Sequence, residues 1–200
     1  MKTSFKLFNF VGAPVELSLW FFLLPLLLPS ISMVIAVFIS VLVHEMAHAW
    51  MANKLGWRVN CIKIDLFTGS AHIDPNIHER DSIPVVAAGP LSNLCLASIV
   101  FLLTFIGSYL SISINPLLSQ FLINMIVVNV ILFIFNILPI YPMDGGRLVK
   151  DTLTLKLSSR RTAKITAGWI SLITSILLLI YTFCKFRSCF ELCNCLCWNL

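Results

Sequence analysis

Residues Met33–Lys54 read MVIAVFISVLVHEMAHAWMANK, an apolar run with three ionisable side chains in its second half, ahead of the closing lysine. The run is long enough for a helix that crosses a bilayer, which needs about 20 apolar residues. Positions four apart share one face of a helix, so His44 and His48 project to the same side. Burying these two residues and Glu45 in lipid is costly, and the run therefore predicts a functional site.

The whole chain has the composition of a membrane protein. Of its 200 residues, 58% are hydrophobic and 12% are charged, whereas a soluble domain carries about 25% charged residues. The hydropathy predicts an all-α polytopic membrane protein with about five transmembrane helices, or six if the C-terminal end adds a short one. The five apolar segments are Glu16–Leu28, Met33–Lys54, Ile83–Leu110, Leu117–Leu138 and Ile165–Phe183.

The two ends of the chain differ from its apolar middle. The first apolar segment has no small-residue cleavage site after it, so we expect it to be retained as a span and not removed as a signal peptide. We expect one intramembrane domain over residues 1–183 and a cysteine-rich tail over residues 184–200. The tail cysteines lack Cys-x-x-Cys spacing, which leaves acylation, disulfide formation or no role as the alternatives.

The charge distribution indicates topology. The formal net charge is +5, and Lys and Arg cluster before the first segment, between the second and third, and between the fourth and fifth. Cytoplasmic loops carry such an excess of basic residues. We therefore expect a multi-pass protein of the cell membrane with a cytoplasmic N-terminus, an active-site opening on the cytoplasmic side, the lipid bilayer as its surroundings and no nucleic-acid partner.

The histidine pair predicts a zinc site. Catalytic zinc takes three protein ligands and keeps one position open for water, and a glutamate beside the first histidine can act on that water as a general base. Asp144 is favoured as the third ligand because it lies at a similar depth, just after the helix-breaking stretch Pro139–Pro142; the alternative is that it caps the next helix. The candidates for the third ligand are Asp65, His72, Asp74, His78, Glu79, Asp81 and Asp144.

Three pieces of the chain stand in a distinctive order: His44–His48 (HEMAH), Gly89–Asn93 (GPLSN) and Asn136–Gly145 (NILPIYPMDG). Together they resemble the site-2 protease family of intramembrane zinc metalloproteases, peptidase family M50. The resemblance is nearest to the short bacterial members, including the sporulation type that processes a membrane-tethered pro-sigma factor. Those members carry a regulatory domain after the membrane core, and the 200 residues contain no counterpart to it.

The resemblance implies roles for individual residues. It implies that His44, His48 and Asp144 bind one Zn²⁺, that Glu45 is the general base and that Asn136 faces the site near the substrate. The implied activity is hydrolysis of peptide bonds within or next to the transmembrane segment of membrane-tethered proteins, in regulated intramembrane proteolysis, with regulatory membrane proteins as further partners. Structural support is expected from Gly89, Asn93, Pro139, Pro142 and Gly145.

The connection Cys61–Asp74 alternates apolar and polar residues around Thr68-Gly69, which predicts a small β-hairpin at the membrane surface. It looks like the hairpin of the family, whose edge can pair with an extended substrate; a passive surface hairpin is the alternative.

A non-enzymatic membrane protein is the alternative function, either a catalytically silent scaffold or a metal transporter. A silent relative would be expected to lack Glu45 or one of the ligands, and a transporter to carry ligands in series along a path. The chain has one compact set of such residues.

Overall fold

The computed structural model describes residues 4–65, 69–157 and 159–197, with side chains described as far as residue 185. Two strands, a 3₁₀ turn (Leu19–Leu23) and a short helix precede the first long helix. The strands are β1 (Ser4–Phe10), β2 (Ala13–Ser18), β3 (Val59–Ile64) and β4 (Gly69–Ile73). The helices are α1 (Leu24–Leu27), α2 (Ile31–Lys54), α3 (Glu79–Tyr109), α4 (Pro116–Ile137), α5 (Asp144–Lys156) and α6 (Arg160–Cys197).

Within the described residues, four helices are long and apolar enough to cross a membrane: α2, α3, α4 and the part of α6 up to Lys185. The predicted fold class is therefore confirmed, but the number of spans, five or six, was too high. The predicted first span, Glu16–Leu28, ends β2 and then forms the 3₁₀ turn and the four-residue α1. Its apolar residues lie beside α2 and do not form a helix of their own long enough to span.

The sheet is larger than the predicted hairpin. The strand order is β1-β2-β3-β4, with β2 and β3 parallel and the two outer pairs antiparallel. The predicted hairpin is β3–β4, and Thr68 of its turn lies outside the described residues. In β2, Ala13, Val15 and Leu17 are buried, which is the period-two burial of a strand and explains why this stretch pairs with β3 and does not extend a helix.

Both ends of α2 carry local stop signals. The hydroxyl of Ser30 accepts a hydrogen bond from the backbone N–H of Met33 at 3.2 Å and caps the first turn. At the other end Gly56 has a φ of +85°, and the N–H of Trp57 donates to the carbonyl of Ala52 at 2.9 Å. A left-handed glycine of this kind ends a helix by returning the chain along it, so β3 runs back beside α2.

The sheet packs directly on α2. Ala49 and Ala52 are fully buried beneath Val15, Ile62 and Ile64, and together they form one apolar core. Small side chains on the helix allow the strands to approach it closely. The second half of α2, which contains HEMAH, is therefore covered by the sheet.

The predicted break after α4 is present as a short non-helical turn. Helix α4 ends at Ile137 and α5 begins at Asp144. The N–H of Tyr141 donates to the hydroxyl of Ser171 in α6 at 2.8 Å. A Cβ on Gly145 would overlap the backbone carbonyls of Ile137 and Leu138, so only glycine lets α5 fold back this closely against the end of α4.

Candidate metal centre

Three ligand atoms from α2 and α5 converge on one point. Nε2 of His44 lies 3.1 Å from Nε2 of His48, and Oδ2 of Asp144 lies 3.1 Å and 3.2 Å from these two nitrogens. All three residues are buried. Among the residues considered for the third ligand, Asp144 has its carboxylate in contact with the histidine pair.

These separations suit a tetrahedral metal ion. Zinc bonds of about 2.0–2.1 Å to nitrogen and oxygen place the ligand atoms about 3.3 Å apart. Two imidazole nitrogens and a carboxylate also match the ligand types of catalytic zinc sites. The donor set therefore fits the predicted ion in both geometry and chemistry.

Hydrogen bonds fix both imidazole rings in the tautomer that a metal needs. Nδ1 of His44 donates to Oδ1 of Asn93 at 2.5 Å, and Nδ1 of His48 donates to the carbonyl of Val85 at 2.8 Å. Both acceptor oxygens belong to residues of α3, and neither oxygen carries a hydrogen that it could donate. The Nε2 lone pairs are thereby left for a ligand, which is the arrangement of outer-shell partners seen around metal-bound histidines.

Asn93 is itself held by a polar network that joins three helices. Its amide donates to the carbonyl of Ser40 at 3.3 Å and to Oδ1 of Asn129 at 2.8 Å. Asn129 donates in turn to the hydroxyl of Ser40 at 2.7 Å. All three side chains are fully buried, so a shift of α2, α3 or α4 would leave polar groups unpaired at a high free-energy cost.

Glu45 lies between the ligand cluster and the sheet. It is buried, and its carboxylate accepts a hydrogen bond from the backbone of Ala71 in β4. A Cβ on Gly69 would overlap the Glu45 side chain. In the described part of the chain, strand β4 is an outer strand of the sheet, and its residues Gly69–Ile73 line the same cavity as Glu45, so its unpaired edge is available beside the candidate ligands.

Gly89 provides the space in which the two rings sit. A Cβ at this position would overlap the imidazoles of His48 and His44. Glycine is therefore required where α3 passes the ligands, in addition to any effect on helix packing.

Burial raises the pKa of Asp144, but the two imidazoles beside its carboxylate lower it by more, so the pKa of Asp144 lies well below its usual range. Its outer oxygen, Oδ1, lies 3.8 Å from Nη1 of Arg147, one turn further along α5. Nothing in the sequence pattern indicates Arg147 as a site residue. The signal for Ser40 and Asn129 is a polar residue inside an apolar span.

The ligands and Glu45 line a cavity of about 1050 Å³. The apolar part of the cavity wall comes from α2, α3 and α4. The charged part comes from α3, α5 and α6. The edge of β4 also lines the cavity. Asn136 also lines the cavity, and its amide donates to the carbonyl of Leu132 at 3.0 Å. The apolar residues include Val41, Val86, Ile131, Leu132 and Phe135, and the charged ones include Glu79, Arg147, Lys150, Asp151, Arg160 and Lys164.

The remaining predicted support residues lie near this cluster. Pro142 lines the cavity, and Pro139 stands in the turn that leads to Asp144. Other candidate ligands lie on the cavity wall, namely His72 and Asp74 at β4 and Glu79 at the start of α3. Glu79 is instead paired with Arg160 of α6, at 3.1 Å.

Comparison with known proteins gives matches over most of the chain. The model of peptidase family M50 matches residues 32–115 and 106–180. Zinc metalloprotease MJ0392 of Methanocaldococcus jannaschii is 29% identical over 84% of this chain and 51% of its own length, so the chain spans about half of that relative. Putative zinc metalloprotease YwhC of Bacillus subtilis is 31% identical over 69% of this chain and 76% of its own length.

Two further similarities bear on the fold and the type of relative. Stage IV sporulation protein FB of Bacillus subtilis is 25% identical over 63% of this chain and 42% of its own length. Among solved structures, the site-2 protease from Methanocaldococcus jannaschii superposes with a TM-score of 0.62 at 25% identity, covering 92% of this chain and 87% of that one.

Proposed function

The chain belongs to peptidase family M50, and we propose that it is a zinc-dependent intramembrane endopeptidase. Its substrates are membrane-tethered proteins, which it cuts within or next to their transmembrane segment. The observation that carries the proposal is the triangle of His44 Nε2, His48 Nε2 and Asp144 Oδ2, with sides of 3.1–3.2 Å and with Glu45 beside it on one cavity.

In this proposal His44, His48 and Asp144 hold one zinc ion per chain, and Glu45 is the general base. Zinc, when bound, supplies a Lewis acid that lowers the pKa of water and polarises a carbonyl. The orientation of both rings by Asn93 and Val85 supports the ligand roles.

Glu45 moves the protons of the reaction. It takes a proton from the attacking water as the oxygen–carbon bond forms, and it returns a proton to the amide nitrogen as the carbon–nitrogen bond breaks. The Ala71 N–H orients the carboxylate for both transfers. Asn136, on the cavity wall, is proposed to contact the substrate near the scissile bond.

The free edge of β4 supports an extended substrate conformation. A transmembrane helix buries its carbonyls in its own hydrogen bonds, and pairing an unwound segment with a strand edge exposes the scissile bond. Because the edge of β4 lines the same cavity as Glu45, a segment paired there would pass the ligand cluster. The apolar part of the cavity wall can receive the lipid-embedded part of such a substrate, and the charged part its polar flank.

We place this activity in regulated intramembrane proteolysis, with the active site opening to the cytoplasm and with regulatory membrane proteins as further partners. Both long basic connections lie at the same end of the helix bundle, because α3 and α4 form a pair joined by the short turn at residues 110–115. The pairing of β2 with β3 brings the N-terminal strands to that end as well.

The test is cleavage of single-span substrates by the purified chain in lipid bilayers, with zinc content measured on the same sample. We expect about one zinc per chain and cleavage close to the membrane boundary. Glu45→Gln should keep the zinc and reduce cleavage by a factor of about 10²–10⁴, the rate enhancement that a general base supplies.

The same samples separate the proposal from its alternatives. A chain that binds zinc and cuts none of the substrates would favour a silent scaffold, and zinc uptake into sealed vesicles without cleavage would favour a transporter. Cleavage that survives in Glu45→Gln would remove Glu45 from its proposed role.

A further inference from the structure

Arg147 occupies a position on the cavity wall that the proposed mechanism leaves unused. It lies on the first turn of α5, and its side chain is 51% exposed while the carboxylate of Asp144 beside it is buried. Oδ2 of Asp144 faces the two imidazoles, whereas Oδ1 faces Arg147. The carboxylate of Asp144 therefore lies between the Arg147 guanidinium and the imidazoles of His44 and His48.

The guanidinium has donors to spare. Its nearest approach to Asp144 is 3.8 Å, which is longer than a hydrogen bond. A guanidinium carries five N–H donors and cannot be deprotonated at physiological pH. Arg147 thus presents a permanent positive charge and free hydrogen-bonding capacity to the cavity that contains Glu45.

A substrate segment paired with β4 would present carbonyls on both of its sides. Consecutive carbonyls of an extended chain point to opposite sides. If a segment pairs with the edge of β4, half of its carbonyls face β4 and the other half face away from it, into the cavity. Arg147 lies on the wall of that cavity, beside Asp144.

We infer that Arg147 is a catalytic residue that donates hydrogen bonds to the carbonyl oxygen of the scissile bond as that oxygen becomes negatively charged. The inference rests on the proposed peptidase function. As the water oxygen bonds to carbon, the electrons of the C=O π bond move onto oxygen, and Arg147 stabilises that charge. When the carbon–nitrogen bond breaks, the electrons return to the carbonyl and the nitrogen takes the proton that Glu45 delivers. Donors preorganised for a developing oxyanion are worth about 10²–10³ in rate.

A purely positioning role makes a different prediction. If Arg147 served only to orient Asp144, its removal would weaken zinc binding, and activity would fall because the metal is lost. A contact made only to the transition state lowers kcat and kcat/KM equally and leaves the metal in place. Zinc affinity and the kcat-to-KM pattern therefore separate the two roles.

The experiment compares Arg147→Gln and Arg147→Lys with the unaltered chain, and uses Arg161→Gln as the matched control. Arg161 is exposed on α6 and is outside the set of residues that line the cavity. Zinc affinity is measured by chelator competition, and binding of a phosphinic peptide, which mimics the tetrahedral intermediate, by calorimetry. Affinity for the ground-state peptide is measured with Glu45→Gln added to each variant, so that it is not cut.

For Arg147→Gln we expect kcat and phosphinic-peptide affinity to fall by about 10²-fold, with zinc affinity and ground-state affinity within about twofold of the unaltered chain. Arg147→Lys should fall in between because it keeps the charge but loses the planar set of donors. Arg161→Gln should behave like the unaltered chain.

Binding of the phosphinic peptide needs no turnover. It therefore tests the role of Arg147 in stabilising the oxyanion even if no natural substrate is cut. A loss of zinc affinity parallel to the loss of peptide binding would overturn the catalytic role in favour of a positioning one. Unchanged phosphinic binding in Arg147→Gln would overturn the inference altogether, while leaving the result for Glu45→Gln, and hence the proposed function, standing on its own.

Discussion

The side chain of His44 is held by residues that are not among those lining the cavity. Asn93 anchors His44 from α3, and Ser40 and Asn129 complete its hydrogen bonds from α2 and α4. A ring placed in this way cannot rotate without breaking a buried hydrogen bond, which costs about 1–3 kcal/mol for each group left unpaired. Nε2 of His44 is thereby oriented towards Asp144.

The imidazole rings of His44 and His48 also need the space that Gly89 leaves open beside them. We expect Gly89→Ala to lower zinc affinity by about tenfold or more, because the added methyl group would occupy the position of the imidazoles and outer-shell disruption has effects of this size. Chelator competition measures it. The matched control is Gly168→Ala on α6, where the added methyl group meets nothing within 4 Å. Equal zinc affinity in the two variants would show that α3 can move away from the rings.

Among single residues, the sequence predicted the candidate ligands and the candidate general base better than the buried polar residues that hold them in place. His44, Glu45 and His48 could be picked out because ionisable groups are rare in apolar surroundings, and Asp144 could be favoured because it follows the helix-breaking stretch at a similar depth. The structure brings the four together, and their roles stay predictions. Ser40 and Asn129 could not be picked out, because a lone hydroxyl or amide in a span often bonds to its own helix. Only the crossing of three helices shows that these two share partners.

Strand β4 is the element to which the proposed function assigns substrate pairing. We expect Ile73→Pro to slow cleavage by about tenfold without changing zinc affinity, because proline removes an N–H from the edge that would pair with the substrate, while an edge strand tolerates the ring. Ile73→Val, which keeps the N–H and a branched side chain, is the control. KM and kcat are measured with a single-span substrate. Full activity of Ile73→Pro would indicate that the hairpin is passive.

The N-terminal strands β1 and β2 are the elements that the hydropathy pattern does not predict. The ends of α2, α3 and α4 fall within a few residues of the predicted segments, because helix hydrogen bonds are local and caps such as Ser30 are visible in the sequence. Strand β2 pairs locally with β1, but it joins the rest of the sheet through β3, which lies beyond the whole of α2. An apolar strand followed by an apolar turn resembles a short span when only hydropathy is considered.

The arrangement of the whole molecule predicts which side each connection occupies. We expect the turn at residues 110–115 to face away from the cytoplasm and the connection at residues 55–78 to face it, because the latter carries basic residues and the former carries none. A protease site inserted at residue 112 should be cut in right-side-out vesicles and protected in inverted ones. The opposite pattern would place the metal centre on the outer side of the membrane.

The resemblance to the site-2 proteases, first seen in three short pieces of sequence, is confirmed by the family match and by the superposition over 92% of the chain. The division into a domain at residues 1–183 and a tail at residues 184–200 stays a prediction. Helix α6 continues to Cys197, but the side chains of the last four cysteines lie outside the described residues, so the alternatives for the tail remain those drawn from sequence.

The ligand from α5 has a consequence for how the protein is made. Asp144 follows His44 by 100 positions along the chain, and three helices must be in place before the two can meet. A nascent chain that has emerged only as far as α4 carries the histidines without the carboxylate that completes the set. Synthesis from the N-terminus therefore delays assembly of the full set of candidate ligands until the membrane core around it has been laid down.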